Sequence, residues 1–289
     1  MGVKRITLLL AGLLAGAPAS AYVRSTSKSG VPLRWEGTSC VDLRPDAKGS
    51  ADLPVSAVLG AIERAAGNWE AAAGACSYIR FVMREPARVS PRDRPPGVME
   101  GVIIYWLEQG WLDDPARTSD MLALTNVMYL DKPGKPDDGV ITRADMAVNG
   151  ELYRWTTTGA AGAMDVENTI THELGHVLGL EHPCYERTPP AQRDDQGRPV
   201  PACSAVTDPD LVLATMFPTA VPGQTTRRHP TAAEGAAICA IYPTASDPAR
   251  CEAPSAGGCS LGQPADRPSA IPPVSLLLLA VALRRRLRA

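Results

Sequence analysis

The segment "THELGHVLGLEH", residues 171–182, holds three of the four histidines in a chain of 289 residues. His172 and His176 are four residues apart, so on a helix they project from the same face about one turn apart. Two imidazoles placed in this way can bind one metal ion. Glu173 follows the first histidine directly, which puts its carboxylate beside that face. The spacing therefore predicts a helix that carries two metal ligands and an acid/base group.

The end of this segment predicts a third ligand. Gly179 suits the end of a helix because glycine readily adopts the left-handed conformation that stops one. The chain can then turn and bring His182 back to the metal. The full pattern is His-Glu-x-x-His-x-x-Gly-x-x-His, and three imidazoles leave an open fourth position on a tetrahedral ion. We therefore expect Zn²⁺ to bind His172, His176 and His182, with Glu173 as the general base that activates a water.

Patterns on both sides of this segment predict an α+β domain. Residues 53–74 carry an apolar stripe at helical spacing, Asp165 is positioned as the N-cap of the metal-binding helix, and Thr231 with Glu234 forms a capping box before a final helix. The strand-like runs, in chain order, are "VPLRW" with "CVDL", "SYIRFVM", "GVIIYW", "MLALTNVMYL" and "GVITRADMAVN". This order predicts a mixed twisted sheet with three main helices, the metal-binding helix lying under the sheet.

The metal segment, together with "ATMFP" at residues 214–218, resembles the metzincin clan of zinc endopeptidases, in which a methionine-containing turn lies beneath the metal. Met216 occupies the place of that methionine. Within the clan, the order of elements is most similar to the matrixins: "PLRW" leads in, "GVITRADMAVN" precedes the zinc helix and "MFP" forms the turn. The resemblance covers most of residues 31–243. It implies a metzincin-like zinc protease domain and a zinc metalloendopeptidase activity.

The resemblance also implies how a substrate binds. In this family the peptide lies extended along an edge strand, and "MLALT" at residues 121–125 is the candidate for that edge. Leu122 and Ala123 would then form backbone hydrogen bonds with the substrate. Such bonds accept many sequences, so side-chain pockets would set the selectivity.

Three features of the chain depart from relatives in the clan. Pro218 stands where some metzincins carry a tyrosine, so no tyrosine ligand is expected at that position. Residues 22–31 contain no cysteine, which argues against the propeptide cysteine switch of matrixin zymogens. The step from the third histidine to the turn methionine is 34 residues, longer than in a compact matrixin. The insertion is bracketed by Cys184 and Cys203, and we expect it to form a wall on the primed side of the cleft.

The start of the chain differs in composition from the rest. Residues 1–21 contain Lys4 and Arg5, then an apolar run, then Ala-Ser-Ala, which is typical of a secretory signal peptide. The mature chain is expected to begin at Tyr22. The catalytic domain is then predicted to cover residues 22–245.

The end of the chain is biased as well. Residues 246–273 are rich in Pro, Ser and Gly and predict an unfolded stalk, and residues 274–289 are a short apolar run closed by arginines, as in a sorting tail. The last thirty residues or so resemble the C-terminal sorting signals of myxobacterial surface proteins, with "GGCS" at residues 257–260. This resemblance implies that Cys259 is the processing or lipid-attachment point.

Cysteine usage favours an exported protein, extracellular or anchored at the cell surface. Setting Cys259 aside leaves six of the seven cysteines, and the sequence does not choose among their pairings. Pairing between neighbours is the simplest scheme: Cys40 with Cys76, Cys184 with Cys203, and Cys239 with Cys251.

A loop of acidic residues is a second candidate metal site. Asp131, Asp137 and Asp138 lie in the turn-rich segment "DKPGKPDDG", where they either offer oxygens to Ca²⁺ or act as solvated turn residues. His229, in "RRHP", is interpreted as a surface or capping residue.

The net charge of −2 gives no basic field for nucleic acid or an anionic membrane. We therefore expect a monomer that acts on a protein or peptide substrate and meets a membrane only through its processed or lipidated tail. Three functions stay open: a secreted or surface-tethered zinc endopeptidase, a catalytically silent zinc-stabilised surface module, and a zinc hydrolase of a non-peptide substrate. Glu173 favours an enzyme, because a structural zinc site needs no base.

Overall fold

The computed structural model of the protein describes residues 22–88, 101–186 and 193–251. The predicted signal peptide (1–21), Cys259, the sorting tail (274–289) and the stalk beyond residue 251 lie outside the described residues, so these predictions remain as they stand.

The described residues form nine strands and four α-helices, with single turns of 3-10 helix between them. The strands are β1 (Val23–Arg24), β2 (Cys40–Pro45), β3 (Arg80–Met83), β4 (Gly101–Leu107), β5 (Ala123–Tyr129), β6 (Ile141–Asn149), β7 (Trp155–Thr156), β8 (Met164–Asp165) and β9 (Leu180–Glu181). The helices are α1 (Val55–Ala73), α2 (Val166–Val177), α3 (Pro209–Leu213) and α4 (Ala232–Ile241). One helix lies between β2 and β3, six strands then precede α2, and α3 and α4 follow β9, so the predicted α+β class is confirmed.

A mixed five-stranded sheet with the order β3-β2-β4-β6-β5 is the framework of the fold. The strands β3, β2, β4 and β6 run parallel to one another, whereas β5 is antiparallel to β6. Strand β5 therefore lies at one edge, and its outer side has no strand partner among the described residues. This is the strand that "MLALT" leads into, so the predicted edge position is confirmed.

Strand β4 is apolar along its length because both of its faces are covered. Val102 and Ile104 pack in the main core on the helical side of the sheet, while Ile103 and Tyr105 pack in a smaller cluster on the other side. A strand that buries both faces cannot alternate between polar and apolar residues. The run "GVIIYW" follows this rule.

Helices α1 and α2 pack against each other on the main-core side of the sheet. The predicted stripe of α1 is buried at four of its six positions (Val58, Ile62, Ala66 and Trp69), while Val55 and Leu59 are half-buried. The indole Nε1 of Trp69 donates a hydrogen bond of 2.7 Å to the carbonyl of Thr171 in α2. Helix α1 is therefore fixed directly against the turn that carries the first histidine.

Two predictions of secondary structure need correction. "VPLRW" is not a strand: it forms only isolated bridges, Thr26 to Pro32 and Arg34 to Val140, and Pro32 has no N–H to extend a ladder. The strand predicted for this region consists of β2 alone. A short fourth helix, α3, adds to the three helices that were expected.

The structure contains three disulfide pairs, and only one of them joins neighbours in the sequence. Cys184 pairs with Cys203 as the simplest scheme predicts, but Cys40 pairs with Cys251 and Cys76 with Cys239. Neighbour pairing was therefore wrong for four cysteines, because the fold places the end of α1 beside α4 and residue 251 beside the start of β2. The three pairs are mildly consistent with an extracellular protein.

The structured body continues past the predicted domain end at residue 245. The backbone N–H of Ser39 donates to the carbonyl of Arg250, and Cys251 is bonded to Cys40. Across the described residues, every helix is too short or too polar to pass through a bilayer.

Candidate metal centre

The start of α2 is fixed by charge and by capping. Asp165 is the N-cap, and its side chain accepts a hydrogen bond of 2.9 Å from the backbone N–H of Asn168. Arg228 donates to both oxygens of the Asp165 carboxylate, at 2.9 and 2.6 Å. The predicted cap is therefore confirmed, and the ion pair joins the first turn of α2 to the segment before α4.

The end of α2 turns the chain back as the sequence predicts. Gly179 has a φ of 89°, and a Cβ atom there would lie 2.6 Å from the carbonyl oxygen of Leu33, so the position requires glycine for two reasons. The chain then forms β9, which pairs antiparallel with β1. His182 follows directly after β9, so this small sheet anchors the segment that carries the third imidazole.

The three histidines meet at one point. The Nε2 atom of His182 lies 3.1 Å from Nε2 of His172 and 3.2 Å from Nε2 of His176. These imidazoles form a group that could hold a metal ion, and it is the only such group of three or more histidine, cysteine or acidic side chains in the described part of the chain. Ligands about 2.0–2.1 Å from a tetrahedral Zn²⁺ are about 3.3 Å apart, so the observed distances fit one ion.

Hydrogen bonds orient two of these rings for metal binding. Nδ1 of His172 lies 2.7 Å from the carbonyl of Thr215, and Nδ1 of His176 lies 2.9 Å from the carbonyl of Leu180. A carbonyl only accepts, so each Nδ1 carries the proton and each Nε2 keeps its lone pair for a metal. The donor set therefore suits an ion that prefers neutral imidazole.

Burial favours the neutral state of two of these rings as well. It holds the pKa of His172 well below its usual range, and His176 and His182 act in the same direction. Burial also lowers the pKa of His182 to about 3. A metal therefore does not have to displace ring protons at neutral pH.

The turn that contains Met216 supports this centre from below. Met216 is fully buried, and its sulfur lies against Gly175, the residue of α2 just before the second histidine. The fully buried carboxylate of Glu234 accepts hydrogen bonds from the backbone N–H groups of Met216, at 2.7 Å, and Thr215, at 3.2 Å. The capping box at Thr231 and Glu234, which the sequence predicts, is confirmed. Its glutamate also fixes the backbone whose carbonyl orients His172.

Glu173 lies beside the histidines and is buried. The Thr125 hydroxyl in β5 donates a hydrogen bond of 2.6 Å to its Oε2. Burial raises the pKa of the Glu173 carboxyl, while His176 and the hydrogen bond from Thr125 oppose this shift. The arrangement places this side chain in the wall of the same cavity as the candidate metal ligands.

A cavity of about 880 Å³ opens over this centre. Leu122, Ala123 and Thr125 line one side, the three histidines and Glu173 lie in its wall, and Arg227 with residues 217–220 lines a further part. The structure thus brings Leu122 and Ala123 to the same cavity as the candidate metal ligands. Their role in substrate binding stays a prediction.

The insertion after the third histidine also reaches the cavity. Cys184, Tyr185 and Glu186 contribute to its lining. The two ends of the insertion are held together by the Cys184–Cys203 bond and by a backbone hydrogen bond of 2.9 Å from Cys203 to Tyr185. The loop entry is therefore rigid at the point where it borders the cavity.

In the acidic loop, each of the three aspartates has a partner within the protein. Asp131 pairs with Lys28 and Asp137 with Lys132, while Asp138 accepts hydrogen bonds from Ser29 and from a backbone N–H. The three carboxylates do not come together as a metal-binding group. Lysine side chains thus pair with Asp131 and Asp137, and hydrogen bonds hold Asp138.

Two contributors to the site were missed in the sequence. Arg227 is buried, and its guanidinium donates to the carbonyls of Val212, Phe217 and Thr219. These bonds fix the part of the cavity wall that follows the methionine turn. Thr125 was missed because threonine is common in strands. Its only signal is that the other residues on its face of β5 are apolar or aromatic.

Gly175 provides a test of the contact between α2 and the methionine turn. In Gly175→Ala, the new Cβ would lie 2.1 Å from Sδ of Met216 and 2.9 Å from Cζ2 of Trp69, both of which are fully buried. We expect overpacking to lower the free energy of unfolding by about 1–3 kcal/mol, measured by urea denaturation. Gly67→Ala in α1 is the control, since its Cβ meets nothing within 4 Å, and it should stabilise by about 0.5–1 kcal/mol. Equal midpoints for the parent and Gly175→Ala would contradict this packing.

The fold and the site together define an α+β protein with a half-buried three-histidine group that could hold a metal ion. Comparison with known protein families finds no family model that matches the chain, and comparison with curated proteins finds no similar sequence.

Proposed function

We propose that the protein is an exported zinc-dependent endopeptidase of the metzincin type, similar to the matrixins. The observation that carries this proposal is the convergence of three Nε2 atoms, with distances of 3.1 and 3.2 Å, beside the buried carboxylate of Glu173. The resemblance at "HELGHVLGLEH" and at the methionine turn supports the same activity.

The residues of the chain divide the work of hydrolysis among them. Zinc bound by His172, His176 and His182 would supply a Lewis acid that lowers the pKa of a water and polarises a carbonyl. Hydrogen bonds to backbone carbonyls orient His172 and His176, and burial favours the neutral imidazole of His172 and His182, the form that binds a metal. Glu173 takes a proton from the attacking water and delivers it to the leaving amine, so that one peptide bond and one water become a carboxyl group and an amine.

The shape of the cavity favours a peptide over a small substrate. It borders β5, an edge strand with an open side, and an extended peptide can add to such an edge through main-chain hydrogen bonds. We place the backbone contacts at Leu122 and Ala123. The three disulfide pairs agree with an exported, extracellular or surface-anchored protein.

Chelation tests the function directly. The full chain, produced under oxidising conditions, should cleave casein and members of a peptide library. A zinc chelator should abolish this cleavage, and about one equivalent of Zn²⁺ per chain should restore it. Folded, zinc-loaded protein that cleaves no peptide would contradict the proposal and favour a silent zinc-stabilised module or a hydrolase of a non-peptide substrate.

A further inference from the structure

Strand β5 has two faces of different character. Leu124 packs in the smaller cluster on one side of the sheet, whereas Ala123, Val127 and Tyr129 pack against the main core on the side of α2. Thr125 belongs to this second face, because side chains alternate along a strand. The other residues on this face, which is directed toward α2, are apolar or aromatic. Thr125 therefore places a hydroxyl among them.

The hydroxyl of Thr125 meets the carboxylate of Glu173 there. It donates a hydrogen bond of 2.6 Å to Oε2, across 48 residues of sequence. Glu173 is 6% exposed, so this donor replaces water that the carboxylate has lost. The hydroxyl bonds Oε2 of the carboxylate, and the backbone of Thr125 acts on the same carboxylate.

We propose that Thr125 is a positioning residue for Glu173, an inference that rests on the proposed peptidase function. A glutamate side chain has three rotatable bonds, and a fixed Oε2 restricts them, so that Oε1 faces the attacking water in one orientation. The same restraint holds the carboxyl group in place while it carries the proton to the leaving amine. In this role Thr125 acts through Glu173, whose carboxylate it contacts.

The backbone of Thr125 makes this restraint rigid. It lies in the interior of β5, where its register partner is Met146 in β6, a fully buried residue. Glu173 is on α2, which is capped at its start by Asp165 and packed against α1. The hydrogen bond therefore joins two fixed elements, and it ties the base to the strand along which we place the substrate.

The test compares two substitutions at Thr125. Thr125→Val keeps the shape and removes the hydroxyl, so kcat should fall about 10- to 100-fold, the effect of a hydrogen bond to a charged group. KM should stay within about 3-fold of the parent, since an interaction that aids only the chemical step changes kcat. Thr125→Ser restores a hydroxyl and should recover most of kcat. Zinc content should be the same in all three proteins.

Two further comparisons separate positioning from a structural role. Thr142→Val removes a hydroxyl from the neighbouring strand β6, where it bonds the carbonyl of Met128, and it should leave kcat and KM unchanged. In a Glu173→Gln background, Thr125→Val should have little further effect on the residual rate, because the side chain that Thr125 positions can no longer take a proton. An equal loss in both backgrounds, or a change in KM alone, would overturn the proposal.

The results also distinguish this inference from the function on which it rests. If the parent cleaves peptides in a zinc-dependent way and Thr125→Val has the parent's kcat, only the role of Thr125 is wrong. If the zinc-loaded parent cleaves no peptide, the proposed function fails and the inference fails with it.

Discussion

Replacing His176 by alanine is expected to abolish both zinc binding and peptide cleavage. His176 supplies one of three converging Nε2 atoms. The two imidazoles that remain are fewer than the three protein ligands that catalytic zinc sites use. Metal analysis should find about one zinc per chain in the parent and far less in the variant. Added zinc should raise the melting temperature of the parent and not that of the variant, because a ligand stabilises only the state that binds it.

The fourth histidine provides a matched control for this substitution. His229 lies outside the three-histidine group, so His229→Ala should keep zinc, cleavage and the melting temperature of the parent. Equal zinc content in the His176→Ala variant and in the parent would remove His176 from the ligand set. It would also remove the main support for the proposed function.

Replacing Glu173 by glutamine should lower kcat by about 10²- to 10⁴-fold, the contribution of a positioned general base. Glutamine has nearly the same shape and still accepts the hydrogen bond from Thr125, but it cannot take a proton from water. Zinc content and the stability toward urea should stay close to those of the parent. Chemistry is lost in this variant while the metal site remains.

Glu63 offers a comparison for this variant. It is exposed on α1, and Glu63→Gln removes the same charge without touching the cavity, so its kcat should equal that of the parent. A Glu173→Gln protein with undiminished turnover would assign the base to another group.

Features encoded within a few residues of sequence were predicted correctly. The cap at Asp165 and the glycine turn at Gly179 depend on local backbone geometry, and each has a residue type that suits it. The glycine turn brings His182 to the other imidazoles, so the three-histidine group could be predicted from local sequence signals. The buried strand β4 was visible for the same reason, as an uninterrupted apolar run.

Features that depend on distant partners could not be read in this way. The pairing of Cys40 with Cys251 requires knowledge of where residue 251 returns to the sheet, and nothing near either cysteine encodes it. The bond from Thr125 to Glu173 likewise joins residues whose spacing follows only from the packing of α2 on β5. For the segment "VPLRW", the local pattern gave a wrong prediction. Its residues suit a strand, but Pro32 has no N–H to donate, and the segment forms only isolated bridges.

The bond between Cys40 and Cys251 determines how a tethered form of the protein would respond to force. If the chain is held through its C-terminal end, as the sorting tail suggests, tension arriving at residue 251 passes through the disulfide directly into β2. That strand lies between β3 and β4, so two ladders of hydrogen bonds share the load. Helix α4 and residues 242–250 are bypassed, and α2 with its histidines lies outside the path. Drag on a surface-anchored molecule would thus be carried by the sheet, and the metal centre would keep its geometry.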